Sequence, residues 1–258
     1  MKKRFIIIGL WFAVAGIATA QTEDANRILE RSRELTIADA MEATMTLTIT
    51  DRNGSERIRT NTMISKKYPD GTEKRLIRFV SPAEVQGTSI LLHDYTDRQD
   101  DMWIYLPALK RVRRIVSSEK GKSFMGSEFT NSDMSSPPSS DFNSRHLEES
   151  GRDDLWVIES IPADASLVNQ YGFAKRINYF RKENLQLQKM EFFDRNGVHY
   201  KTIEVLAVES IDSNGRYMVS DMQAINHQTG RSSRMKMENL STSVKFSDSL
   251  FDAQNLDR

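Results

Sequence analysis

The sequence predicts a mainly β chain with a few helices (α+β), laid out as an antiparallel meander whose sheet curls around one core. Two observations predict it. The first is a recurring turn signal: Asp51-Arg-Asn-Gly54, Asp194-Arg-Asn-Gly197 and Asp212-Ser-Asn-Gly215 are nearly the same tetrapeptide. Each holds the Asn-Gly pair whose tolerance of positive φ suits a tight hairpin. Tyr68-Pro-Asp-Gly71 and His227-Gln-Thr-Gly230 punctuate the chain in the same way. The second is the period-2 alternation between these turns: Met45, Leu47 and Ile49 among threonines, Ile177 and Tyr179, Ile203 and Val205, Met235 and Met237. A flat sandwich of two sheets carries similar signals, and the length of the runs favours barrel-like curvature.

The amino terminus reads as a secretory signal over residues 1–20. Lys2, Lys3 and Arg4 precede the apolar stretch Phe5 to Ile17, and Ala18-Thr-Ala20 is a small-residue cleavage site. The apolar stretch falls short of the roughly 20 residues that span a bilayer. Cleavage after Ala20 leaves a chain of residues 21–258, within the range of a single β domain. There is no cysteine, which excludes disulfides, thiolate metal sites and a lipidated amino terminus. Export without cysteine points to a bacterial periplasm or surface. Basic and acidic residues balance at 36 each, so no overall field favours nucleic acid.

One helix is predicted at the start of the exported chain. Thr22 suits its N-cap, Glu23 and Asp24 its first turn, and Ala25, Ile28, Leu29 and Ser32 follow at helical spacing. Its Ile28/Leu29 stripe is expected to cover whatever follows.

Residues 119–150 break the strand pattern. Gly121, Gly126, Pro137 and Pro138 are mixed there with serines, acids and the aromatic residues Phe124, Phe129 and Phe142. Core strands lack such prolines and polar loops lack such aromatics, so the segment reads as a lid or insertion over one opening of the sheet. It follows an extended run, Trp103-Ile-Tyr105, and a basic alternation, Lys110-Arg-Val-Arg-Arg114. The alternation fits a half-buried strand with its charges in water. Arg111, Arg113 and Arg114 are also candidates for contact with an anionic head group or a partner.

Catalytic and metal chemistry find little support. Gly121-Lys-Ser123 ends like a phosphate loop, but Val116 stands where the first glycine belongs. No Gly-x-Ser-x-Gly elbow occurs, and His93, His146, His199 and His227 lack metal-binding spacing. Asp94, Asp97, Asp100 and Asp101 crowd one turn but lack the glycine and terminal glutamate of a calcium loop, so a solvated turn is expected. No enzyme activity and no cofactor are therefore expected. Methionines scattered through the strands, with Trp103, Tyr105 and an apolar lid, suit an apolar cavity with adaptable walls.

Three stretches resemble a known family: Pro82-x-x-Val85-x-Gly87-Thr88, Trp103-x-Tyr105-x-Pro107 through Ile115, and Ser123-Phe-Met-Gly-Ser-Glu-Phe129. They are similar to the bacterial outer-membrane lipoprotein-sorting proteins, relatives of the periplasmic lipoprotein carrier LolA. The similarity is densest from Pro82 to Asp133 and reaches weakly to Phe246-Ser-Asp-x-Leu250-Phe251. It implies a half-open, strongly curved antiparallel barrel closed by helices, with a cavity for lipid or lipoprotein acyl chains. An inner-membrane lipid transporter is the partner it implies. Trp103, Tyr105, Phe124, Met125 and Phe129 are the expected lipid-binding residues, with Ile28 and Leu29 from the helix. A regulatory module of the same fold with a protein partner is the alternative.

Overall fold

In the computed structural model, which describes residues 25–148 and 153–257, thirteen strands form one antiparallel sheet. Strand β1 (Ala40–Thr50) lies next to its central strand. On one side follow β2 (Glu56–Lys67), β3 (Glu73–Ser81), β4 (Ser89–Asp94), β5 (Asp101–Leu106) and β6 (Arg111–Arg114). On the other follow β13 (Arg231–Ser241), β12 (Tyr217–Asn226), β11 (His199–Ser210), β10 (Leu187–Phe193), β9 (Lys175–Arg181), β8 (Leu155–Pro162) and β7 (Phe142–His146). Every connection joins neighbouring strands except residues 115–141, which run from one edge, β6, to the other, β7.

Laid flat, such a sheet would span nearly 60 Å at about 4.8 Å per strand. Residues from β1 to β5, β7 and β10 to β13 nevertheless meet in one core. The sheet is therefore strongly curled. Its edges do not pair, so it stays half open, as expected. The inner face follows the predicted alternation: Met45, Leu47 and Ile49 of β1 are each at most 1% exposed.

All five predicted turns are hairpin connections, with positive φ at Gly54, Gly71, Gly197, Gly215 and Gly230. The three Asp-x-Asn-Gly loops differ from the expected Asn-Gly geometry. Only the glycine takes positive φ, and the aspartate organises the loop. Asp51 Oδ1 accepts from the backbone N–H of Asn53 (2.8 Å) and Ser55 (3.0 Å). Asp194 and Asp212 repeat the pattern. An asparagine is not forced left-handed when a carboxylate satisfies the turn's donors first.

Residues 25–35 form helix α1, whose Ala25 and Ile28 pack on Ile158 and Phe180 of β8 and β9, with Leu29 at the margin. The expected signal peptide, the Thr22 cap, Glu23, Asp24 and the lid's end at Ser150 lie outside the described residues. Two further helices are short. α2 (Ser117–Lys120) follows β6, and α3 (Ala165–Tyr171) joins β8 to β9. They meet backbone to backbone, since a Cβ on Gly121 would lie 3.0 Å from both Cα and N of Gly172.

Candidate functional site: a filled inner face

Part of the segment 115–141, expected as a lid or insertion, enters the curled sheet, where its aromatic side chains pack in the main core. Phe124 N–H donates to Phe129 O (2.8 Å) and Ser127 N–H to Phe124 O (3.0 Å), closing a small hairpin. Met125 and Gly126 at its tip have φ of 51° and 75°. Two successive positive φ values mark the primed turn that suits such a hairpin. It drives Phe124 and Phe129, both 0% exposed, into the main core beside Met134. Phe124 packs on Phe79 at 6.5 Å between ring centroids. The expected lid also ends early, because Phe142–His146 is edge strand β7.

Polar ties hold this plug to both halves of the sheet. Arg59 of β2 donates to Met125 O, Arg75 of β3 to Met134 O (2.8 Å), and Arg231 of β13 to Gly126 O (3.1 Å). Arg231 also pairs with Glu128 at 3.1 Å, and Asn226 donates to the same carboxylate at 2.9 Å. Glu128 N–H reaches Ser233 Oγ at 3.0 Å, and Lys201 of β11 pairs with Asp133 at 2.7 Å. Hydrogen bonds to charged groups are worth about 1.5–3 kcal/mol each when sheltered and less when exposed, so the plug is fastened by their number together with its rings.

Two features make the closed arrangement costly. Asp94, fully buried, accepts from Ser136 N–H (3.0 Å) and lies 3.5 Å from Arg75. Burial pushes its carboxyl up to about 6, with Glu73 adding to the rise and Arg75 opposing it. On β2, Asn61 and Ser65 are 0% exposed, and neither amide atom of Asn61 nor the Ser65 hydroxyl has a hydrogen-bond partner on the protein. An unmade buried polar bond costs about 1–3 kcal/mol.

The expected lipid-binding residues divide among three places. Phe124, Met125 and Phe129 belong to the plug on the inner face. Ile28 and Leu29 lie on α1 beside β8 and β9. Trp103 and Tyr105 fall on the outer face and do not share the hollow with them. Alternation along β5 sends Met102 and Ile104 inward, while Trp103 and Tyr105 pack with Leu91, Phe246, Phe251 and Leu256 of the carboxyl-terminal segment. His93 Nε2 donates to Phe251 O at 2.9 Å and fastens that segment. Arg111, Arg113 and Arg114 stand exposed on edge strand β6, with Arg113 paired to Glu119 at 2.7 Å and Arg114 to Asp101.

Of the four aspartates expected in a solvated turn, Asp97 is exposed but Asp94, Asp100 and Asp101 are buried. Besides Asp94, Asp100 pairs with Lys120 at 2.5 Å, and those side chains are 1% and 3% exposed. No group of three or more metal-ligating side chains occurs among the described residues. Two clefts, of about 310 and 260 Å³, are lined by no residue of the hairpin 123–130. The larger is lined by Arg98, Asp100, Arg114 and Lys120 among others, and the smaller by Arg78, Tyr105 and Leu256 among others.

Comparison with known proteins places this architecture. A family model described as uncharacterized-protein-like matches residues 71–258. No curated protein matches the chain. A structure from Vibrio parahaemolyticus, described as an outer membrane lipoprotein-sorting protein domain, is 30% identical with a TM-score of 0.81. That similarity covers 92% of this chain and 100% of that one. A DUF1329 family protein from Desulfovibrio piger is 26% identical, also with a TM-score of 0.81, over 92% of this chain and 99% of the other. A LolA superfamily protein from Nitrosomonas europaea shares the fold at 18% identity and a TM-score of 0.66, over 88% of this chain and 97% of its own. On the strength of the 30% identical match, which covers 92% of this chain and 100% of the other, the chain belongs to the outer-membrane lipoprotein-sorting family, with a LolA-like fold.

Proposed function

We propose that this protein is a periplasmic carrier that takes an acyl chain onto its inner face when the plug hairpin, Ser123–Thr130, withdraws. The observation that carries the reading is the plug itself. It packs Phe124 and Phe129 into the curled sheet, yet is fastened by polar ties, and buried Asn61 and Ser65 on β2 have no hydrogen-bond partner on the protein. Polar groups without a protein partner suit a surface that meets water or a ligand when the plug is out.

The magnitudes allow such an exchange. Exposing Phe124 and Phe129 loses about 1.5–3 kcal/mol each. Burying an acyl chain returns about 0.8 kcal/mol per methylene, so roughly four to eight methylenes offset the exposure. One fatty chain is long enough. Loading then displaces the plug, and re-entry of the plug helps expel the chain to an acceptor. No covalent chemistry is required. Ile28 and Leu29, at the α1 end of the inner face, would extend the apolar path.

Lipid extraction and native mass spectrometry of protein purified from a bacterial envelope test the reading. Acyl species bound in stoichiometric amount are expected. Protein that emerges empty, and takes up no lipid when challenged with vesicles, counts against it. A second reading is a module that binds a protein partner, favoured by the exposed arginines and unpaired edge of β6. Such a module would emerge free of lipid and bound to protein.

A further inference from the structure

Arg176 of β9 lies on the inner face, the same face as Asn178 and Phe180, and is mostly buried. Its guanidinium Cζ sits 5.4 Å from the ring centroid of Phe142 and 5.6 Å from that of Phe173, two rings that stack on each other. Among the described residues its side chain makes no ion pair and no hydrogen bond, and its Nε is inaccessible and unpartnered. The nearest carboxylate that acts on it, Asp133, is already engaged by Lys201 at 2.7 Å and by Thr130 N–H at 2.7 Å. This part of the inner face therefore holds two cations against one carboxylate. Burial pulls the Arg176 guanidinium below its ordinary value, with Asp133 and Tyr171 opposing that pull.

A guanidinium removed from water without a counter-ion is unfavourable, and stacking on phenylalanine compensates only part of the loss. The donors that remain free form the planar fork that matches two oxygens of a carboxylate or phosphate. We propose that Arg176 is the anion-binding end of the acyl site, taking the phosphate or carboxylate of an anionic lipid whose chain lies where the plug hairpin now sits. This assignment rests on the carrier reading and narrows its cargo to amphiphiles with an oxyanion near the chain.

The test compares phosphatidylglycerol, a free fatty acid, and diacylglycerol, which has no oxyanion, for binding to wild-type protein and to Arg176→Met and Arg176→Lys. Wild type is expected to prefer the two anionic lipids. Arg176→Met should weaken them about tenfold or more, as loss of a charged hydrogen-bond donor does, while changing diacylglycerol binding less than twofold. Arg176→Lys, which keeps charge but loses the fork, should recover part of the loss. Without ligand, Arg176→Met should be at least as heat-stable as wild type; a lower Tm would mark a merely structural arginine and overturn the assignment. An unchanged preference in Arg176→Met overturns this inference and leaves the carrier reading intact. Binding of none of the three lipids removes both. Inorganic phosphate alone raising the Tm of wild type but not of Arg176→Met would assign the site to a free anion and overturn the lipid assignment.

Discussion

Lys201 on β11 and Asp133 of the plug segment form an ion pair 2.7 Å long whose side chains are 3% and 7% exposed. Lys201 also lies 4.1 Å from the centroid of Phe192, so its ammonium is enclosed on several sides. The pair joins a strand in one half of the sheet to the segment that links both edges. Its main effect is to fix where the plug sits, because the desolvation of two charges cancels much of their attraction.

Removing one partner should therefore be far worse than removing both. Asp133→Asn leaves Lys201 charged and enclosed, and is expected to lower the unfolding free energy by about 3–5 kcal/mol. Asp133→Asn combined with Lys201→Met should recover most of that loss. Urea unfolding of the two single variants and the double variant measures the coupling. Strictly additive losses would show that the pair does not act as a unit.

Asp94 makes stability depend on pH in an unusual direction for a carboxylate. Its folded value of about 6 stands above the ordinary 3.8. Between those values the folded chain keeps a proton that the unfolded chain has released. The resulting stabilisation is complete below about pH 4, falls as pH rises, and is gone above about pH 6. A displacement of this size corresponds to on the order of 3 kcal/mol. Asp94→Asn should remove that slope, so the difference in unfolding free energy between wild type and variant should change across pH 4–6 and level off above it. Parallel curves over that range would contradict the assignment.

Much of the fold could be read from the sequence, because hairpin register is a local property. Gly54, Gly197 and Gly215 mark turns, and the alternation of Met45, Leu47 and Ile49 names a buried face. What local pattern cannot supply is the identity of each face once the sheet curls. The run Trp103-Ile-Tyr-Leu106 is apolar on both sides, so period 2 is silent there, and Trp103 and Tyr105 were expected inside while packing outside. Asp94 and Asp100 look solvated beside other aspartates. They are buried because Arg75 and Lys120, 19 and 20 residues away, meet them in space. The aromatic residues of the plug were legible as apolar and bendable, but whether such a segment covers a hollow or occupies it depends on the width of the curl. Arg176 gave no signal at all, since it is one basic residue in an alternating strand.

The contact of α2 with α3 has no slack. Gly121 has ordinary φ, −74°, so alanine is permitted by its backbone, and the obstacle is the Gly172 backbone 3.0 Å from the new Cβ. Neither backbone can rotate away as a side chain would. Gly121→Ala is expected to cost about 1–3 kcal/mol, as overpacking does. A Tm within error of wild type would mean that α2 can lift from α3 freely. Because α2 leads into the plug, the same variant should also speed hydrogen exchange between residues 117 and 136.

Phe124 and Phe129 offer the most direct test of whether the plug competes with a ligand. Each is 0% exposed, so Phe→Ala should weaken the closed state by about 3–5 kcal/mol if the surrounding residues do not collapse. A ligand that binds only the open form has an apparent affinity reduced by the fraction of molecules that are open. Weakening the plug raises that fraction. Phe124→Ala is therefore expected to bind a fluorescent fatty acid more tightly than wild type, by tenfold or more, although the protein has lost apolar surface. Exchange at residues 123–130 should rise in parallel while β1 and β13 stay protected. If Phe124 instead forms part of the wall that grips the chain, the variant binds more weakly with the same rise in exchange. Affinity that falls as the plug loosens would exclude competition between the plug and a bound chain.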